Sequence, residues 1–425
     1  MGLLLQIRVL QLRHNNFSGN LPSSLQTCEQ LQVFDIGDNA LEGKIPLWIG
    51  QKLTNLFVLS LKSNKFNNRI PSNLCNLQAI EMLDLSMNRI FGTIPPCLDN
   101  FTSMVEKRDH NELGIYTFRV DVPLSKNTTL LFELGSLEIM WKGVYLENEK
   151  IFRSLRLIDL SSNQLTGQIP EELTHLVELI QLNLSWNNLH GAIPKEVGKL
   201  SNLQSLDLSN IKLSSEIPSS LATISFLSYL KLSNNRLSGK IPTGTQLQSF
   251  EASSYTGNLR LCGPPLPNSC FGDETLQGNP DSNCDESIIE DDDKWFDMKQ
   301  FHMGIGVGIV IGFVGVCNNN LSGVIPKSMG LLLQIRVLQL RHNNFSGNLP
   351  SSLQTSEQLQ VFDIGDNALE GKIPLWIGQK LTNLIFLSLK SNKFSNRIPS
   401  NLCNLHAIEM LDLSMNRIFG TILHV

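Results

Sequence analysis

Charge is scarce in this chain. Lysine, arginine, aspartate and glutamate together make up 17% of its 425 residues and leave a net charge of −5. No broad basic field results, which argues against nucleic acid as a partner. Cysteine is sparse as well: eight over this length are too few for a disulfide-built scaffold. No glycine-rich nucleotide loop with a following lysine occurs, and no His-Arg-Asp with a metal-binding triplet, so a kinase is excluded. The eight histidines are scattered without metal-ligand spacing. Asp35, Asp84, Asp159 and Asp207 recur as template on the open face, while the acidic run 290–293 reads as solvated linker and not as an acid–base pair. The expectation is a protein that is not an enzyme and holds neither metal nor cofactor. Its opening words, MGLLL, return at 329–333 inside a repeat, so they are read as repeat and not as a secretion signal.

What the chain does have is a period. Segments beginning at Leu155, Leu179, Leu203 and Leu227 follow one another every 24 residues. A fixed period of this size marks a stacked array and not a single globular core. The first, fourth and sixth positions of each unit are apolar, and the Leu-x-Leu alternation predicts a short strand with one face inward. Asn163, Asn187 and Asn235 occupy the ninth position. A buried amide needs partners, and the backbone of the neighbouring coil is the natural source. A glycine then permits unusual dihedrals, and an Ile-Pro follows where no ladder N–H is required. This is a leucine-rich repeat, hence an α/β-type solenoid. One defect stands out: Ile211 takes the ninth position in the third unit.

Seven segments follow from that template. Residues 1–103 form a first block of four units, beginning at Ile7, Leu31, Leu56 and Ile80, with ladder residues Asn15, Asn39, Asn64 and Asn88. The unit at Leu31 carries one extra residue near Gln51-Lys52. Residues 104–153 lose the period and read as an island looping out of the solenoid. The four-unit block occupies 154–250. Proline and glycine end the repeats in 251–272, where Cys262 and Cys270 are placed to close a loop over the last coil, a cap that a terminal coil requires. Residues 273–300 are polar and acidic. Residues 301–317 carry no charge; at ~1.5 Å each they span roughly 25 Å of a bilayer core of about 30 Å. They are read as a short membrane helix, with Gly304, Gly308 and Gly312 at small-xxx-small spacing; the other reading is a buried glycine-rich strand.

At Cys317 the text breaks into a second block, 318–425, with units at Ile335, Leu359, Leu384 and Ile408. Residues 1–94 and 329–422 differ at only five places: Cys28/Ser356, Phe57/Ile385, Val58/Phe386, Asn67/Ser395 and Gln78/His406. The block is therefore a recent copy, read as the fusion of two tandem genes. Both array ends are expected to lack caps, leaving Leu10 and Leu12 exposed at one of them.

The spelled-out LxxLxxLxLxxNxLxGxIP, the island before the last four repeats, the cysteine-bearing cap, the acidic stretch and the GxxxG run resemble, in that order, the plant leucine-rich-repeat receptor-like proteins. MWKG (140–143) and LCGPPLPNSC (261–270) are most similar to the group related to fungal-xylanase receptors. Against that family the N-terminal part is missing and the second block is extra. The resemblance implies a right-handed superhelix with a concave parallel β-sheet, a convex side of 3₁₀ turns and loops, and one transmembrane helix without a kinase. It implies a single-pass plasma-membrane receptor whose extracellular repeats bind a peptide or microbial protein, and which signals through co-receptor and adaptor kinases in plant defence. Ligand contact would fall to Asp159, Gln181, Asn183, Asp207, Tyr229 and Lys231, with Trp186 beside them. Gly304, Gly308 and Gly312 match the motif that pairs with an adaptor kinase. Cys75 and Cys97 lie at nearly the same angular position in neighbouring units, which suits a bridge between coils. Asn16, Asn100, Asn127, Asn183 and Asn344 are glycosylation candidates, with Asn320 a further sequon. Two alternatives stand beside the receptor: a secreted repeat inhibitor of a pathogen cell-wall-degrading enzyme, and a fusion product without function.

Overall fold

The computed structural model describes residues 1–106, 156–270 and 313–422, and in the insertion Lys142 and the backbone of four strands. Each coil contributes a three-residue strand whose middle side chain points inward. In Leu157–Asp159 that residue is Ile158, fully buried, and the next inward residue is Leu160. Thirteen such strands form one parallel sheet. Fourteen strands of three to five residues make a second layer along the flank, and five-residue 3₁₀ turns close most coils. The Ile-Pro signature places those turns: Pro170 is fixed at φ −62°, and its carbonyl accepts from the amide of Leu173. Gly167 before it sits at φ +86°, and a Cβ there would lie 2.9 Å from Thr93 Cγ2. The extra residue near Gln51 is absorbed by a turn of α-helix, Trp48–Lys52, in place of the 3₁₀ turn.

The ninth-position asparagines hold coil to coil. Asn163 is buried; its Nδ2 donates to the carbonyls of Leu85 (2.9 Å), Leu160 (3.2 Å) and Ser161 (3.1 Å), while its Oδ1 accepts from the amide of Ile90 (3.0 Å). Asn187 and Asn235 repeat the pattern, with buried Ile211 in the intervening coil. The cap extends the row one step further. Asn258 donates to Leu232 and accepts from Leu237, beside a fully buried Tyr255 whose hydroxyl donates to the Leu247 carbonyl at 2.6 Å. Cys262 and Cys270 are bonded within the cap, and Cys75 and Cys97 between adjacent coils.

The insertion leaves the array without breaking it. The short helix Thr102–Val105 still belongs to the coil, with Met104 fully buried. The sheet resumes directly, Met82, Leu83 and Asp84 pairing with Leu157, Ile158 and Asp159. Between them the insertion forms two antiparallel hairpins, Thr117–Val122 with Thr128–Glu133 and Glu138–Trp141 with Val144–Glu147.

Two expectations are corrected here. Residues Phe313–Gly315 are not membrane helix but the outermost strand of the main sheet, paired with Val337–Gln339. Val314 is buried, Val316 packs against the core, and Asn319 holds the ladder position. The Val-Gly-Val run was apolar because it alternates inward as a repeat does. Among the described residues no helix is long and apolar enough to cross a membrane, and Gly304, Gly308 and Gly312 lie outside them. Secondly, Leu10 and Leu12 are buried. In space the second block precedes the first: Met410–Asp412 pairs in parallel with Val9–Gln11, so the Ile408 coil covers the face that was expected to be open.

Replacing Asn163 by Ala removes four hydrogen bonds and leaves buried backbone groups unpaired. At about 1 kcal/mol net for each bond, the loss is roughly 2–4 kcal/mol. A lowered urea midpoint for Asn163→Ala, beside an Ile211→Val control that moves little, is the expected result.

Candidate ligand-binding surface on the concave sheet

Since inward side chains alternate with outward ones, the third residue of each strand faces the concave side. Reading across the strand register gives Asp363, Ser388, Asp412, Gln11, Asp35, Ser60, Asp84, Asp159, Asn183, Asp207 and Lys231 as one row. Much of this row is structural. Asp84 Oδ1 accepts from the Ser86 amide (2.9 Å) and hydroxyl (2.6 Å), and Asp207 Oδ1 accepts the same pair from Ser209 (2.9 and 2.7 Å). The Leu-Asp-Leu-Ser template thus uses one carboxylate oxygen to pin the turn after the strand.

Where the row passes the insertion, a cavity of ≈ 360 Å³ opens on the concave face. Six of the seven residues singled out in the sequence line it: Asp159, Gln181, Asn183, Trp186, Asp207 and Tyr229. Lys231, the register partner of Asp207, does not. Nine further lining residues were not singled out in the sequence, three of them charged. Asp84 had been set aside as template, Lys62 comes from two coils away, and Lys142 belongs to the MWKG phrase of the insertion, which periodicity cannot place. Trp186 is 63% exposed at the rim, on a backbone with φ 54° that a bulky residue rarely adopts. Asn183 Nδ2, the atom a glycan would use, donates to Asp159 Oδ2 at 3.1 Å, and its Oδ1 accepts from the Ser185 hydroxyl at 2.8 Å. Asn16, Asn100 and Asn344 are exposed, and Asn127 lies outside the described residues.

Burial governs the electrostatics. Asp84 is pushed up to about 7, first by burial and then by the neighbouring charge of Asp159, which is itself raised by burial. Tyr229 is raised by burial and by Asp207 beside it. Further along the row, burial also raises Asp35, Asp412 and Asp363, the last to about 6. The surface therefore presents carboxyls, hydroxyls, amides, two lysines and two aromatic rings. Such groups can form hydrogen bonds and stacking contacts over a wide area. Among the described residues no cluster of His, Cys, Asp and Glu is placed to hold a metal ion.

A carboxyl whose pKa is higher in the folded than in the unfolded chain holds a proton that the unfolded chain has released. Its stabilising effect is complete below the ordinary carboxylate range and is lost as pH rises through the folded value. The contribution of Asp84 is therefore expected to fall from about pH 4 to about pH 7. Asp84→Asn, which keeps the acceptor for Ser86, should raise the melting temperature at pH 8 by about 2–4 °C and leave it nearly unchanged at about pH 3.5. Differential scanning fluorimetry across that range reads both.

Comparison with known proteins agrees with the repeat. The Leucine Rich Repeat family model matches residues 6–28, 79–101, 154–176, 178–200, 202–224, 226–246, 334–356 and 383–405. "Receptor-like protein EIX2" of Solanum lycopersicum is 50% identical over 299 residues, covering 69% of this chain and 28% of that protein. "Receptor-like protein EIX1" of the same species is 46% identical over 153 residues, 36% of this chain and 15% of that one. The chain thus spans well under a third of the length of these relatives. Among solved structures, the Arabidopsis receptor kinase HAESA in complex with the peptide hormone IDA and the co-receptor SERK1 is 26% identical at a TM-score of 0.41, covering 96% of this chain and 62% of that one. The PEPR1–AtPEP1 crystal structure is 25% identical at 0.42, covering 97% and 45%. With the repeat, the coil geometry and the two tomato relatives in agreement, the chain is a leucine-rich-repeat protein similar to the receptor-like proteins of plants.

Proposed function

We propose that the concave surface around Asp159, Asn183, Asp207, Trp186 and Tyr229 binds a peptide or microbial protein outside the plant cell, and that the bound complex signals in defence through co-receptor and adaptor receptor-like kinases. One observation carries the reading. Six side chains chosen from the sequence as outward-facing converge on a single cavity, under Lys142 from the insertion. A rigid curved sheet suits this task because many modest contacts add over a large area without reordering the backbone.

The sheet also bears on the membrane. Val9–Gln11 and Met410–Asp412 are adjacent strands, so the two blocks occupy one side of any membrane while that pairing holds. A single crossing by residues 301–317 and this pairing exclude one another. Membrane pairing through Gly304, Gly308 and Gly312 therefore belongs to a receptor in which the blocks are apart. With Phe313–Cys317 taken into the repeats, the uncharged run left is 301–312, roughly 18 Å if helical. That shortening supports a second reading, a secreted repeat protein that binds a pathogen cell-wall-degrading enzyme at the same cavity.

Two experiments test these readings. Immobilised chain is exposed to fungal culture filtrate, and the retained protein is titrated against variants: Trp186→Ala together with Asp159→Asn should weaken binding by about 30-fold or more, as expected for central contacts. Equal retention by the variant would remove the cavity from the site. In plant cells, glycan on both Asn16 and Asn344 is the expected result for blocks sharing the secretory side. Resistance of the tagged chain to carbonate extraction would favour the anchored receptor, and release into the supernatant the secreted binder.

A further inference from the structure

Among the described residues, every repeat coil but one is closed by a segment that follows its own strand in the chain. The exception lies between the blocks, where a coil begins with Ile408–Ile422 and is closed by Met1–Gln6. Met1 and Ile422 are both fully buried, and the Met1 amino group donates to Cys403 Sγ at 3.2 Å. The seam is otherwise an ordinary coil-to-coil contact. The amides of Arg8 and Val9 donate to the Glu409 carbonyl (2.8 and 3.0 Å), and those of Leu413 and Met415 to the carbonyls of Gln11 and Arg13 (both 2.9 Å). Asn15 bridges it with Nδ2 on the Leu413 carbonyl (2.9 Å) and Oδ1 under the Ile418 amide (3.0 Å).

None of these contacts uses the 42 residues, 271–312, that join the blocks in sequence. Closing the seam within one chain sends that link back past thirteen strands, from the cap to the far edge of the sheet. At ~4.8 Å for each of the intervening spacings the return is about 58 Å. A random chain of that length has a root-mean-square reach of only about 36 Å, so the tether gives a low effective concentration for the intrachain contact. A second copy offers the same face with no such constraint. When the seam is open, each chain shows two apolar coil faces, one with Leu10, Leu12 and Phe17, the other with Leu411, Leu413 and Ile418, all buried when it is closed. The two faces match one another in strand register and through the Asn15 bonds.

We propose that this seam is an exchange interface between copies of the chain: residues 313–422 of one copy seat on the Ile7 coil of a second, which returns its own block to the first. Exchange makes every contact the single chain makes, so concentration decides the balance. The resulting dimer carries two concave cavities linked through shared sheets.

Asn16 and Phe419 are register partners across the seam on the flanking sheet, and both are exposed. Neighbouring strand positions are close enough for a disulfide. Two full-length chains with different tags, one carrying Asn16→Cys and the other Phe419→Cys, are co-expressed and oxidised. A reducible product containing both tags, absent when either variant is expressed alone, is expected. Light scattering on the unsubstituted chain should show the mass rising toward that of two chains as concentration increases from about 1 to 100 µM. A disulfide formed only within the Asn16→Cys/Phe419→Cys double variant, with a one-chain mass throughout, overturns the proposal. No disulfide in either arrangement overturns the seam itself.

Discussion

The structure rests on one requirement: a coil has no hydrophobic core of its own and must borrow both its apolar cover and its backbone partners from the next. The ninth-position amide is where these demands meet. A side chain such as Asn163 donates into its own turn and into the preceding coil at once, and accepts from that coil's backbone. Apolar burial drives stacking but is indifferent to small slips; an amide with fixed partners on both sides is not. The ladder therefore sets the register of the sheets, and through them the alignment of the concave row. Ile211 shows the tolerance of the scheme, since a buried apolar side chain preserves packing while the asparagines on either side keep their own bonds.

That regularity has a consequence for recognition. Because each Asp of the Leu-Asp-Leu-Ser template commits one oxygen to the turn after its strand, the concave face carries a row of half-satisfied, largely buried carboxyls. Their neighbours decide what each contributes. Asp35 has Arg13 Nε 3.8 Å away, whereas Asp84 faces Asp159 and is driven toward the protonated form. The cavity forms where the row meets the insertion and the aromatic residues of the last coils. Its character comes from departures from the template laid over a uniform scaffold: Gln181, Trp186, Tyr229 and Lys142.

The seam between the blocks follows from the same translational logic. Coil faces are interchangeable when their inward residues and ladder positions agree, and a copied segment guarantees that agreement. A block of repeats can therefore stack on a face distant in sequence as well as on its own successor. What looks in the linear chain like an interrupted array with two bare ends becomes one continuous sheet. The fully buried Leu10 and Leu12 are the direct record of that closure.

By itself the sequence determined the coil: its period, its inward leucines, its asparagine row, its proline-led turns and the outward positions that would face a ligand. These are local properties repeated many times, so each unit corroborates the next. It was silent on the order in which coils stack, since order depends on matching faces and not on adjacency in the chain. It misread Phe313–Gly315, because an apolar stretch alternating with glycine satisfies a membrane pattern and a strand pattern equally. It left Asp84, Lys62 and Lys142 out of the site, since only the folded coil brings a template residue, a distant lysine and an aperiodic insertion around one cavity. Tertiary structure decided those points because stacking converts separation in sequence into a few ångströms of sheet spacing.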